Sequence, residues 1–231
     1  MKIIALLLSL CALAAPASAQ QRNYTVTSFT QLRVDGAIHV KLTTDSAPFA
    51  RASGKAAATN AVDIRMNGRT LTISLRRDAW GAYPGDDGGP LLVEVGTHRI
   101  ERASLSGSGR LDIDRLEGMK AGLALRGAGS LQVGAIELDE FTLLVAGAGS
   151  ARIAGSAKQA SIKVQGLSAL DAANFMADEL SMAVEGPALV RIGADDSLDL
   201  SVAGAADIVV SGNPACTMTV RGAASISGCR R

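Results

Sequence analysis

The chain has 231 residues, and its 23 Lys and Arg against 22 Asp and Glu leave a formal charge of +1. That charge is spread along the chain without a basic block, which argues against nucleic acid as a partner. Only 3% of residues are aromatic while 25 are glycine, a composition suited to thin layers of small and branched aliphatic side chains rather than a core built on large rings.

The first element in chain order is a targeting segment. Met1-Lys2 precede the apolar run Ile3 to Ala15, and Ala17-Ser18-Ala19 form a small-x-small site. The run is too short and wrongly flanked for a membrane span, so residues 1–19 read as a secretory signal peptide with cleavage after Ala19. Lipidation at Cys11 is the lesser reading, because Leu10 stands before it where a small residue is wanted. No second long apolar run follows, so no transmembrane segment is expected. Residues 20–231 have the length of one domain, destined for the periplasm, the outer surface or the exterior.

Residues 24–100 read as a less regular, β-rich N-terminal part. "LRVDGAIHVKL" (Leu32 to Leu42) alternates around Gly36. "GKAAATNA" (Gly54 to Ala61) is a short helix or a loop. Asn67-Gly68 between alternating runs from Val62 to Leu75 signals a hairpin, and "PLLVEVG" (Pro90 to Gly96) reads as a strand. The loop from Arg76 to Pro90 holds the chain's one tryptophan, Trp80, with Tyr83, Arg76 and Arg77. Rings beside charges are what carbohydrate binding uses, so these four are the candidate ligand-binding residues. The competing reading has Trp80 lying flat over exposed core.

Seven similar segments follow. They start at Ala103, Leu123, Leu143, Ile162, Met182, Leu200 and Met218, a spacing of 18–20 residues. The first and third positions are inward-type apolar residues, the seventh is small and the ninth is apolar. The fifth is always glycine: Gly107, Gly127, Gly147, Gly166, Gly186, Gly204 and Gly222. Apolar residues two apart on either side of a small corner mean two short strands per repeat. A period this short suits one coil of a β-helix and is too short for paired helices. The predicted fold is therefore all-β: a single-domain parallel β-solenoid with seven regular coils over 103–228. The glycines turn corners where a side chain would strike the adjacent coil. A phosphate nest is disfavoured, since no segment feeds a helix and no P-loop lysine is present.

Beyond the signal segment two cysteines remain, and an even count in an exported chain predicts a disulfide between Cys216 and Cys229. Cys229 falls over Ser211 of the coil before it, and Cys216 lies just across the "SGNPAC" connection.

The mature chain also resembles a known family. "F-x-x-L-x-V-x-G" from Phe29 to Gly36, "NGRTLTI", "LSGSGRLDI" and the repeated "GAGS" corners are similar to the head GIN domain of auto-transporter adhesins, a bacterial domain of unknown function. The resemblance implies a parallel β-helix and adhesion at the cell envelope.

No catalytic residues or cofactor are predicted, and no metal site: Asp86-Asp87, Asp112 with Asp114, and Asp195-Asp196 lack calcium-loop spacing. His39 and His98 read as surface or strand-edge residues. The function expected is a non-enzymatic, adhesin-like binder of a glycan or other envelope component. The alternatives are a polysaccharide-active enzyme on the same scaffold, whose two carboxylates could meet across coils, and a self-assembling structural subunit, with association of copies left open.

Overall fold

The computed structural model describes residues 20–76 and 91–230. The signal segment and most of the Trp80 loop lie outside the described residues. In the N-terminal part, β1 spans Gln20–Tyr24, β2 Gln31–Asp35, β3 His39–Thr43, β4 Phe49–Gly54, helix α1 Ala56–Ala61, β5 Val62–Asn67, β6 Thr70–Leu75 and β7 Leu92–Gly96. The repeats supply β8 Arg102–Gly107, β9 Arg110–Gly127, β10 Ser130–Gly147, β11 Ser150–Gly166 and β12 Ser168–Glu185. They end with β13 Ala188–Ala203, β14 Ala206–Ser211, β15 Ala215–Arg221 and β16 Ser225–Ser227.

From β8 onward every pairing is parallel, rung on rung. Leu143 stacks on Leu123 and beneath Ile162, Ile162 on Met182, Met182 on Leu200, and Leu200 on Met218. The repeat columns of the sequence are thus the ladder register of a β-solenoid of about 6 turns, the seven corners bounding its full circuits. Each corner glycine has φ between +92° and +131°, the region where L side chains are strained. A Cβ on Gly147 would lie 2.5 Å from the Gly127 carbonyl oxygen. Both the conformation and the close stacking therefore require glycine there.

The expected two strands per coil become three sides. In β10 the inward residues are Leu131 and Val133, then Ile136 and Leu138, then Phe141, Leu143 and Val145, all buried. Spacing is two within a side and three at the bends 133/136 and 138/141. The middle side escaped the sequence reading because its columns alternate in volume. Ile136 stacks on Gly155 and Gly155 on Phe175, while Phe141 stacks on Ala160. Gly155 and Ala160 of β11 leave room through which Phe141 and Phe175, two rungs apart, bring their rings to 5.6 Å. Large and small side chains fill one space together, as close packing demands.

The N-terminal part is more regular than expected. β2 and β3 form a rung around Gly36 (φ +115°) that stacks directly on the repeats, with Leu32 on Ala103, Val34 on Leu105 and His39 on Arg110. β6 and β7 form the next rung outward, with Leu71 on Leu32 and Val93 on Val40. Spatial order therefore departs from chain order, which hides these rungs from a fixed-period search. The hairpin exists as β5–β6, but its two-residue loop is Gly68-Arg69, with Asn67 paired to Thr70 and Gly68 at φ +57°. Glycine at the first loop position fits a turn that follows strand twist. Antiparallel β4 and β1 and helix α1 complete this end.

The disulfide joins Cys216 and Cys229, with Cα atoms 5.7 Å apart. Cys216 stacks on Leu198 in an inward column. The link closes the last rung on itself and is worth about 3 kcal/mol by chain-entropy reasoning.

Candidate binding surface along the corners

The residue after each corner glycine points to solvent, and in none of eight stacked corners does it carry charge. The column runs from Ala37 through Ser108, Ala128, Ala148, Leu167, Pro187 and Ala205 to Ala223. With the next two positions of most rungs, Arg110 and Asp207 among them, it lines a shallow, open trough of about 1030 Å³. At strand spacing the trough is roughly 35 Å long. Leu167 is 69% exposed and Leu189 48% exposed within it. Solvent-exposed apolar residues gathered in one groove are unlike singly scattered ones and mark a recognition surface.

Part of the trough's backbone is already paired between rungs. Ala128 N donates to Gly107 O at 3.0 Å, Ala148 N to Gly127 O at 2.9 Å, and Ser150 N to Gly129 O at 3.1 Å. At these corners the donors that an anion would need are committed to the preceding rung, which disfavours a phosphate cradle there. An apolar occupant, needing no hydrogen bonds, fits this wall better than a phosphate or a backbone strand.

Polar groups gather at the trough's N-terminal end. His39 Nε2 lies 2.8 Å from Asp112 Oδ2, Arg110 Nε donates to Asp112 Oδ1 at 2.8 Å, and an Arg110 Nη donates to Gln132 Oε1 at 3.0 Å. Asp114 accepts from Thr44 N and Oγ1 at 3.0 and 3.1 Å. Among the described residues no three or more potential metal ligands come together.

Charge concentrates instead on the middle side. Asp114, Glu117, Glu137, Asp139, Glu140, Asp178, Glu179, Asp195 and Asp196 stand there against Arg115, Lys120 and Lys158. The cations pair closely, Arg115 with Glu117 at 2.6 Å, Lys120 with Glu140 at 2.6 Å and Lys158 with Asp139 at 2.7 Å. The hydrogen bonds and charge of Glu117 and Asp139 raise the pKa values of Arg115 and Lys158 respectively. These groups are exposed, so each pair contributes little to stability.

Of the four ligand-binding candidates, Arg77, Trp80 and Tyr83 lie outside the described residues. Arg76 follows β6, and its N–H donates to Ala61 O at 2.9 Å. Ser74 of β6 pairs with Asp35 and Leu92 of β7 with His39, and Leu91 lines the trough. The uncharged column is readable in the aligned segments one place after each glycine.

The sequence profile of the family described as putative auto-transporter adhesin, head GIN domain, matches residues 28–214. The chain belongs to that family. Among curated proteins none matches by sequence. Solved structures share the fold of this GIN domain at low identity. A putative adhesin from Bacteroides fragilis NCTC 9343 is 17% identical, with a TM-score of 0.79 over 90% of this chain and 96% of its own. A putative lipid binding protein from Parabacteroides distasonis ATCC 8503 is 16% identical, with a TM-score of 0.70 over 91% and 96%. A putative adhesin from the same organism is 18% identical, with a TM-score of 0.69 over 91% and 97%. Among the described residues of this GIN domain no helix is long and apolar enough to cross a membrane.

Proposed function

We propose that this GIN domain is an exported, non-enzymatic, adhesin-like protein that holds the apolar part of a cell-envelope component along its corner trough. The observation that carries this reading is the column of eight exposed corners without a charge, backed by the paired backbone donors of Ala128, Ala148 and Ser150. Membership of an adhesin family and the disulfide support a role outside the cytoplasm. One structural neighbour is described as lipid binding, which agrees with an apolar occupant. Trp80, Tyr83, Arg76 and Arg77, the rings and cations of the segment between β6 and β7, would add contacts to a glycan or headgroup.

The test places a charge in the trough. Ala148→Glu and Leu167→Glu alter exposed side chains, so melting temperature should hold while binding to isolated envelope material or lipid vesicles falls at least tenfold. Trp80→Ala with Tyr83→Ala should weaken glycan-bearing material more than bare vesicles. Undiminished binding by the trough variants would sink the reading, and turnover of an envelope polysaccharide by the wild-type protein would replace it with the enzymatic alternative.

A further inference from the structure

The two ends of the solenoid are finished differently. At the N-terminal end β4 and β5 pair antiparallel to the outer rung and β1 pairs antiparallel to β4, helix α1 buries Ala58, and β1 is polar, with Gln20, Gln21, Arg22 and Asn23 exposed. Polar, covered edges resist further strand pairing. The rung Ala215–Ser227 at the other end is covered only at its start, where Arg230 bridges Ala215 and its N–H donates to Pro214 O at 3.1 Å. Its strand β15, "ACTMTVR", contains no proline, no lysine and no inward charge. Met218 and Val220 occupy the columns in which Leu200 and Val202 are buried, yet they are 48% and 44% exposed. The Cys216–Cys229 link holds the rung in place, so little ordering remains to be done when a strand adds to it.

Charge selects the occupant. The rung carries Arg221, and Arg230 flanks it over Ala215; both are exposed and neither is in an ion pair among the described residues, and Ala215–Ser227 holds no Asp or Glu. A second copy docked end to end by a two-fold axis would bring both arginine pairs together. Head-to-tail stacking would meet the covered N-terminal end and its Arg22 and Arg51. A regularly spaced row of backbone groups beside apolar pockets is the pattern read by strand addition.

We propose that this outermost rung is a strand-addition site for an extended, acidic polypeptide segment of a partner protein. Alternate apolar residues of that segment lie over Met218 and Val220, and its carboxylates face Arg221 and Arg230. The site is separate from the trough, and either can fail alone.

The experiment measures fluorescence anisotropy of labelled peptides with the full mature chain. The probes are Glu-Val-Thr-Val-Thr-Val-Glu, its counterpart with lysine at both ends, and a version with proline at the central position. The acidic peptide should bind, the lysine peptide at least tenfold more weakly, and the proline peptide not at all. Val220→Lys should lower affinity for the acidic peptide at least tenfold, while Ala148→Glu in the trough leaves it unchanged. Arg221→Gln with Arg230→Gln should erase the acidic preference without moving the melting temperature, which decides the matter if Val220→Lys proves unstable. Equal affinity for all three peptides, or for none, would overturn the proposal. So would a doubling of mass in light scattering that Val220→Lys abolishes, since a second copy would then hold the edge.

Discussion

The corner edge and the middle side of this solenoid solve the same stacking problem by opposite means. At the corner every rung uses the same residue, because backbone approaches backbone and φ is positive at each glycine. On the middle side successive rungs use different residues, Ile136 over Gly155 over Phe175, because side-chain volumes have only to sum correctly between rungs. A constraint on the backbone repeats in sequence, whereas a constraint on volume is shared among neighbours. The corner is also uncharged while the middle side is crowded with carboxylates, so structure and surface chemistry divide along the same line.

If that contrast is right, the corner should be the less forgiving of the two. Gly147→Val combines a disfavoured φ with a clash against a backbone carbonyl that cannot rotate away. Strain of about 1–3 kcal/mol and overpacking of about 1–3 kcal/mol should together approach 4 kcal/mol, read as a loss of stability in denaturant melts. A loss below about 1 kcal/mol would mean that the corner column tolerates side chains and that its uniformity has another cause.

The middle side should lose somewhat less per residue and show coupling between rungs. Phe175→Ala empties a space that Gly155 cannot fill and should cost about 3 kcal/mol. Phe141→Leu and Phe175→Leu should be non-additive by about 0.5–1.5 kcal/mol, the worth of an aromatic pair. Strict additivity in that double-mutant cycle would show that the two rings do not meet across β11.

The same contrast explains what could be read from residues alone. The columns headed by Leu143 and Val145, the corner glycines and the Cys216–Cys229 pairing were legible because each is fixed by its own rung's geometry and recurs at a constant offset. Leu116, Ile136, Gly155 and Phe175 form an equally continuous column, but no residue type in it repeats. The rung around Gly36 was hidden for a topological reason, since the chain leaves it to build β4 to β7 before returning to β8. The trough was half legible: its small, uncharged column stood in the alignment, but its meaning needed the hydrogen bonds that close the corner backbone.

The edge of the uncharged corner column can be tested at a single carboxylate. Glu185 stands immediately before the corner glycine Gly186, in register with Gln165 of the rung below. Gln165 Nε2 donates to its Oε2 at 2.7 Å, and Lys163 Nζ lies 3.0 Å from its Oε1. The Gln165 hydrogen bond first, then the Lys163 hydrogen bond and charge, hold its carboxyl below the usual glutamate value. A folded-state value that is depressed contributes stability above the unfolded value, and this is lost as pH falls through the folded one. Because Glu185 is exposed, the effect should appear in its own titration rather than in the melting curve. In a carbon-detected NMR titration Gln165→Leu and Lys163→Leu should each move the Glu185 midpoint upward. A midpoint that stays fixed in both variants would show that the ladder at the edge of the trough does not form in solution, and that charge there is free to reach across the corner.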